Sequence, residues 1–424
     1  MSDARPLLSL DDALARLSLA AAGHALTDTE VLSAFDALGR VLAADVLSSL
    51  DVPPQDNSAM DGYALRAADV PAAGTVLPVS QRLPAGVVGP ALAPGTAARI
   101  FTGAQVPAGA DTVVAQEQCD SIAAEQSLGQ GHSQGLGQVR VNVRAKSGQC
   151  IRRRGEDVQH GAAVLQRGQR LTPQALGMAA SVGAGHLQVL RRPRAALFST
   201  GDELQMPGEL LRPGAIYNSN RFTLHALLQA AGCEVHDMGI VGDTLQATRD
   251  ALRRAAAMSD LIITCGGVSG GDEDHLKPAA QAEGTLEDWQ LGIKPGKPLA
   301  FGQIRRADGS HALLLGLPGN PVSAFVTYLL AANTVLRVLQ GLPAALPAGL
   351  PLRADFDWPR ADKRREFLRV RINAAGGLDL FANQGSGVLS SVVWADGLVD
   401  NPPGRVIARG DTVRFLPLTE LVAR

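Results

Sequence analysis

The sequence is poor in the residues that announce several specialised functions. Thirty-nine Lys and Arg stand against 41 Asp and Glu, a formal net charge of −2. With no basic excess to neutralise a phosphate backbone, nucleic acid is not expected as a partner. Only four cysteines occur, Cys119, Cys150, Cys233 and Cys265. None forms a Cys-x-x-Cys pair or stands near a matching histidine pair, which speaks against structural zinc and for a reducing compartment. No run approaches the ~18 uncharged apolar residues of a membrane span. The N-terminus, MSDARPLLSLDDALARL, has early charges and no continuous apolar stretch, so it does not read as a signal peptide. A cytoplasmic protein without a membrane partner is expected. No P-loop, dinucleotide fingerprint or nucleophile elbow stands where each would work, and nucleophilic hydrolysis has no support. Tyrosine and tryptophan are scarce too, three of each in 424 residues. The run DNSAMDGYA (56–64) therefore stands out, with two carboxylates, an amide, a hydroxyl and a phenol among small residues; by itself it also reads as a turn.

What remains is the composition of a globular chain, 46% hydrophobic and 19% charged, long enough for roughly two to four domains. Residues 9–22 predict a helix, with Ser9 as cap, Asp12 three positions on, and Leu10, Leu14 and Leu17 on one face. SAFDALGRVLA (33–43) reads as a second short helix, followed by strand-like DVLSSLDV. From residue 51 to 151, short β-like pieces (TVLPVS, AARIFTG, DTVVAQE, QVRVNVR) alternate with Pro/Gly turns, the pattern of a small β module. Its Gly/Gln-rich stretch at 127–138 reads as a mobile hairpin tip without chemistry. Residues 152–192 return to helical texture (TPQALGMAASVGA) and are expected to rejoin the N-terminal helix. That makes 1–50 and 152–192 one discontinuous, small α/β region and the β module an insertion. Residues 193–340 alternate strands and helices, predicting a mostly parallel sheet covered on both faces. Residues 341–424 read as a small β domain, with strands at FLRVRI, LDLFA, residues 390–393 and DTVRFLPL. The expected class is a multidomain α/β plus β protein whose central αβα sheet domain carries the ligand.

Ligands on such sheets bind outside the carboxyl ends of the strands. Three predicted strand exits carry candidates. FSTGDEL supplies Asp202 and Glu203, VGDT supplies Asp243, and ITCGGVSGGDEDHLK supplies Gly266, Gly267, Ser269, Asp272, Glu273, Asp274 and Lys277. Each alone could be a loop with N-capping acids. Together they place Glu203, Asp243 and Asp274 around one crevice, where glycines let backbone approach an anion. Carboxylates facing a phosphate site imply a bridging hard cation, Mg²⁺ first. IKPGKPLAFG holds Lys294 and Lys297 on a turn stiffened by proline; a solvated basic turn is the plainer reading. GLPGNPVSAF starts a helix with Asn320 as cap and Pro321 at the first position, and puts Ser323 at a helix start able to face an anion.

Taken together, DNSAMDGYA, RIFTGA, RRRGED, STGDEL, CGGVSGGDEDHLK, IKPGKP, LPGNPVSAF and NQGSGVLSS resemble the molybdopterin molybdenumtransferases, the MoeA family that includes the C-terminal domain of gephyrin. The runs span most of the chain in the family's order. The resemblance implies insertion of molybdenum from molybdate into adenylylated molybdopterin, Mg-dependent, with release of AMP. It also implies a homodimer whose cleft takes residues from both subunits, and transient contact with the molybdopterin adenylyltransferase. By the same match Asp61, Thr102, Asp157, Glu203, Asp243 and Asp274 are catalytic, the last three at the metal. Gly266, Gly267, Ser269, Lys294, Lys297, Ser323, Arg369 and Ser386 are substrate-binding. Asp61 and Tyr63 are expected to face the partner's α/β domain. The oxyanion is expected between Lys294, Lys297, Ser323, Arg369 and Ser386, apart from the carboxylates. Gln290 departs from the lysine of some members, Gly270 and Asp272 from the usual Val and Glu, and the 127–138 tip is peculiar to this chain. Two rival readings are a molybdopterin adenylyltransferase, normally the α/β domain alone, and a non-catalytic scaffold, which would leave the carboxylates without purpose.

Overall fold

The computed structural model of the chain describes residues 7–122, 136–267 and 275–423. Helix α1 (Leu10–Ala22) begins as expected: Ser9 Oγ accepts the Asp12 N–H at 3.1 Å and donates to Asp12 Oδ2 at 2.6 Å. Its destination differs from expectation. Leu10, Ala13, Leu17 and Ala21 are buried in the core of the α/β body rather than against residues 153–192. The apolar stripe is the only face α1 can bury, and a long helix of that body offers the larger apolar surface.

Residues 33–43 are not a helix. Strand β1 (Thr29–Ser33) leads into a single 3₁₀ turn, Ala34–Asp36, in which Ser33 caps the Phe35 N–H at 3.3 Å. The apolar residues there share no buried face, since Phe35 and Leu38 are exposed. The returning segment supplies helix α2 (Pro173–Ser181), capped by Thr172, and strand β2 (His186–Leu190). β2 pairs antiparallel with β1, with Leu187 opposite Leu32. The discontinuous region thus closes on residues 29–47, around Leu42, Leu171, Ala175 and Leu187.

Between the two halves lies a sheet ordered 112–115, 62–65, 97–100, 75–83, 138–141, 119–122 among the described residues. The last two strands pair antiparallel and flank the 127–138 stretch, most of which lies outside the described residues. The two motifs at the root of this module bind each other. Asn57 and Ser58 pair with Arg152 and Ile151. Asp56 accepts Arg153 Nη1 at 2.6 Å and the Arg154 N–H at 2.8 Å, while Asp51 accepts Arg154 Nε at 2.6 Å.

The α/β body contains β3 (Arg194–Thr200), α3 (Ser219–Ala230), β4 (Glu234–Val241), α4 (Leu245–Met258), β5 (Leu261–Cys265), α5 (Leu276–Glu283), β6 (Gly284–Gln290), β7 (Pro298–Arg305) and β8 (His311–Leu317). The strand order is β4-β3-β5-β8-β7-β6. The first four are parallel, and β7 and β6 run antiparallel at the edge. That edge pair was not legible in the sequence, because GTLEDWQ alternates with half-buried polar residues and lacks β-branched runs. Helix α6 (Pro321–Leu339) follows, with a π-helical stretch at Tyr328–Ala332. It is long and apolar enough to cross a membrane, contrary to the expectation from the sequence, but it is the core helix: Val322, Val326, Leu330, Val335 and Leu336 are fully buried under the sheet. α1, α3 and α6 cover one face, α4 and α5 the other.

The C-terminal sheet centres on β9 (Arg365–Ile372), β10 (Gly397–Asn401) and β11 (Thr412–Pro417). Residues Ile293–Lys294 join its edge, parallel to β9, and so tie the two bodies together. β10 is wholly buried and was missed. Residues 390–393, expected as a strand, belong to the short helix α7 (Ser390–Trp394): Ser391 Oγ donates to Val388 O at 2.7 Å and its N–H to the same carbonyl at 3.0 Å, closing a turn.

Candidate functional site

A cleft of about 520 Å³ opens at the carboxyl ends of β3, β4, β5 and β8. Glu203 enters from the exit of β3, Asp243 from β4, Gly266 and Gly267 from β5, and Ser323 from the start of α6. Five residues predicted from sequence therefore meet in one place. Ser269 and Asp274 lie outside the described residues.

Two glycines make the geometry possible. Gly266 has φ +99°, and a Cβ there would sit 2.7 Å from Thr200 O. Gly201 has φ +141°, and its Cβ would meet Glu203 Oε2 at 2.5 Å. The backbone conformation disfavours a side chain at both positions, and at Gly266 the Thr200 carbonyl leaves no room for one, whereas the flexible Glu203 carboxylate at Gly201 could move aside. The Glu203 carboxylate thus lies over bare backbone at the strand exit.

The rest of the lining includes residues that sequence reasoning passed over. Asn218 caps α3, its side chain accepting the Arg221 N–H at 3.2 Å, and leaves its Nδ2 buried and unpartnered. Ser199 Oγ is likewise buried without a partner. Asn220 Nδ2 donates to Gly319 O at 2.7 Å and contacts Cys265 Sγ at 3.0 Å, clamping the loop before α6 to the end of β5. The run YNSN reads in sequence only as a helix start, which hides this second task. Burial pushes the Cys265 thiol up to about 12, so it lines the cleft as a neutral group and not as a thiolate.

Among the described residues no group of three His, Cys, Asp or Glu is placed to hold a metal ion. Glu203 and Asp243 supply two carboxylates to the cleft lining. That donor set suits magnesium, which keeps several waters and takes one or two carboxylates together with substrate phosphates.

The residues expected to bind the oxyanion are distributed differently. Lys294 is engaged by Glu366 at 3.0 Å and Asp362 at 3.2 Å, within the C-terminal sheet. Burial pulls its ammonium pKa down, but these hydrogen bonds outweigh that and hold it above the ordinary value. Lys297 is exposed. Gly296 between them packs against α6, where a Cβ would meet Thr327 Oγ1. Arg369 is 1% exposed and donates to Phe367 O at 3.0 Å, Ser391 Oγ at 3.2 Å and Gly385 O at 3.4 Å. Burial lowers its guanidinium to about 10. The Ser386 carbonyl accepts the Val322 N–H at 2.9 Å, so the 383–387 loop sits on the start of α6 with Arg369 beneath it. Lys294, Lys297, Arg369 and Ser386 do not line the cleft, whereas Ser323 does.

On the β module, Asp61 and Thr102 form one unit. Asp61 Oδ1 accepts the Thr102 N–H at 2.8 Å and its Oγ1 at 2.7 Å. The backbone donor first, then the hydroxyl, hold the Asp61 carboxyl below its ordinary range. Asp157 is exposed in the RRRGED turn. Tyr63, expected to face a partner, is 7% exposed: its ring lies in the module's own core with Arg99 over it at 5.2 Å. All four residues of the strand Gly62–Leu65 are buried, Tyr63 among them, while Asp61, just before the strand, is half-buried.

The fold and the cleft define a multidomain α/β protein with a crevice at the carboxyl edge of a doubly covered sheet, flanked by a β module and a β domain. Residues 8–183 match the MoeA N-terminal region (domains I and II), 196–337 a probable molybdopterin-binding domain, and 351–418 the MoeA C-terminal region (domain IV). A molybdopterin molybdenumtransferase of Haemophilus influenzae is 36% identical over 403 residues, covering 93% of this chain and 95% of the relative. Molybdopterin molybdenumtransferase 2 of Mycobacterium tuberculosis is 37% identical over 398 residues, covering 90% and 93%. The crystal structure of a molybdopterin biosynthesis MoeA protein from Pyrococcus horikoshii superposes with TM-score 0.79 at 27% identity, covering 97% of this chain and 99% of that one. The chain belongs to the MoeA family of molybdopterin molybdenumtransferases.

Proposed function

We propose that this chain inserts molybdenum from molybdate into adenylylated molybdopterin and releases AMP in a magnesium-dependent reaction. The observation that carries the reading is the convergence of Glu203 and Asp243 with the glycine exits Gly201, Gly266 and Gly267 in one cleft. Bare backbone at those exits lets a pyrophosphate approach closely, and the unpartnered Ser199 hydroxyl and Asn218 amide supply fixed polar contacts. Glu203 and Asp243 would hold the magnesium, whose chemistry when bound is to neutralise charge on the pyrophosphate. Ser323 brings a hydroxyl from the start of α6, and Lys297 is the exposed cation of the Pro-Gly turn.

The Asp61–Thr102 unit does not line the cleft of its own chain. We take this as support for a homodimer in which the module of one copy completes the cleft of the other. Contact with the molybdopterin adenylyltransferase and a cytoplasmic location accompany this reading. The test is Asp243→Asn, which keeps size and removes charge. AMP release from adenylylated molybdopterin is expected to fall at least tenfold while the melting curve is unchanged. Activity within twofold of the parent would remove Asp243 from the reaction.

A further inference from the structure

A second cavity lies on the opposite side of the α/β body. It occupies about 180 Å³ and is enclosed by residues 24–28 after α1, by Arg191, by Asp260 and His311 at the amino ends of β5 and β8, and by Arg306. Its wall is almost entirely polar and none of it belongs to the cleft. The charged and titratable groups facing it are His24, Asp28, Arg191, Asp260, Arg306 and His311.

The pairings of these groups leave an imbalance. Both Asp260 oxygens are taken, by Arg191 Nη1 at 2.7 Å, Arg191 Nη2 at 2.9 Å and the Arg194 N–H at 2.8 Å. Asp28 also accepts Arg191, at 3.0 Å. Arg191 is thus answered by two carboxylates. Arg306 is answered by none within ion-pair distance among the described residues; Asp260 and Asp308 act on it only from further off. Its guanidinium donates to Ala256 O at 2.7 Å, Ser259 O at 2.6 Å and Ser310 Oγ at 3.0 Å, all neutral. Neither the His24 nor the His311 ring makes a hydrogen bond to protein among the described residues, and neither residue is fully buried. Two imidazoles without a protein hydrogen bond among the described residues, beside a guanidinium whose hydrogen-bond acceptors are all neutral, leave one polar cavity with donor capacity and no direct anionic partner for Arg306. A cation is a poor occupant, because no group of three ligating side chains forms among the described residues.

We propose that this cavity is a binding site for a small tetrahedral dianion of the sulfate, phosphate or molybdate type, taken up with a proton on His24. The site goes beyond the transferase reading and does not depend on it. Its volume suits one such anion and is well below that of pockets for larger ligands. Without an anion, burial, then His311 and Arg306, hold the His24 imidazole below its ordinary pKa, and Asp260 opposes them only in part. A dianion reverses the sign of that field, so binding draws a proton from solvent and tightens as pH falls. His24 follows α1 directly, so occupancy also pins the end of that helix to the amino edge of the sheet.

Sulfate is the probe, because it stays a dianion over the range of interest and any pH dependence then belongs to the protein. The full chain, labelled at histidine Cε1, is titrated with sulfate, with His24→Gln and His311→Gln assigning two of the eight histidine signals. Both signals are expected to move with one common Kd, about tenfold tighter at pH 6 than at pH 8. His24→Gln is expected to weaken the response of His311 at least tenfold, and molybdate to compete with sulfate. If tens of millimolar sulfate at pH 6 leave both signals of the unsubstituted protein in place, the proposal is wrong, and that arm needs no variant to fold. AMP should move neither signal; if it moves them as sulfate does, the cavity takes a nucleotide phosphate and the free-anion assignment is overturned.

Discussion

Replacing Gly266 by alanine tests whether the cleft depends on backbone that no side chain can share. Two costs add at this position. The residue sits at φ +99°, where an L side chain costs about 1–2 kcal/mol. The new Cβ would lie 2.7 Å from Thr200 O, which is backbone and cannot rotate away. Moving a packed segment of this kind costs about 1–3 kcal/mol more. The sum, about 2–5 kcal/mol, corresponds to a fall of roughly 5–15 °C for a body of this size. The displaced strand exit carries Gly201 and Glu203, so nucleotide affinity should fall as well. Gly242→Ala is the matched control: it also follows a strand of the same sheet, yet nothing lies within 4 Å of its added Cβ and its φ is not left-handed. Its effect should stay within about 0.5 kcal/mol. Thermal unfolding followed by circular dichroism compares the two. If Gly266→Ala melts within about 2 °C of Gly242→Ala, the close approach of the β3 and β5 exits is not a constraint and the reasoning fails.

The C-terminal junction yields two further predictions. Lys294→Ala strips a cation from Glu366, whose side chain is 2% exposed and keeps only Trp358 Nε1 at 2.7 Å and Asn401 Nδ2 at 3.3 Å. It should cost about 1–3 kcal/mol in urea unfolding, toward the low end because the lysine is partly solvated, and adding Glu366→Gln should recover part of the loss; a single variant within about 0.5 kcal/mol of the parent would show the pair to be idle. Asp362 is held well below the usual carboxylate range, first by the Arg364 side chain and then, against burial, by the Arg364 N–H and Lys294. Because its folded pKa is depressed, its contribution is complete above the unfolded value near ~3.9 and drains away as pH falls through the folded one. The stability difference between the parent and Asp362→Asn should therefore be flat from pH 8 to pH 5 and shrink only below about pH 4; shrinkage already between pH 7 and pH 5 would contradict that assignment.

Much of the α/β body was legible because its elements announce themselves locally. β3, β5 and β8 are short, largely apolar runs, and α3 and α4 carry caps at Asn218 and Thr244 that accept the expected N–H groups. The strand exits were readable for the same reason: glycine and carboxylate follow each run, and a parallel sheet must bring such exits to one edge. Illegible elements were those whose state depends on a distant partner. SAFDALG has helical composition but pairs through β1 with β2, more than 150 residues on in the register Ser33 to His186. β10 (GLVDN) is buried on both faces, Asp400 and Asn401 included, only because β9 and β11 enclose it.

The sequence by itself determined the family, the strand-exit carboxylates and the glycines that let backbone close on a ligand, because each is a local pattern of residue type and spacing. Tertiary structure alone decided which of the basic groups face that ligand. Lys294 and Arg369 look equivalent to Lys297 as charges along a chain. Yet Lys294 is neutralised by Glu366 and Asp362 across two domains, and Arg369 is desolvated beneath the 383–387 loop. Whether a cation is available to an anion is set by its burial and its partners, and both are properties of what the chain brings from far away in sequence. The same holds for the polar cavity at the other edge, where His24 and His311, 287 positions apart in the numbering, come to share one wall only through folding.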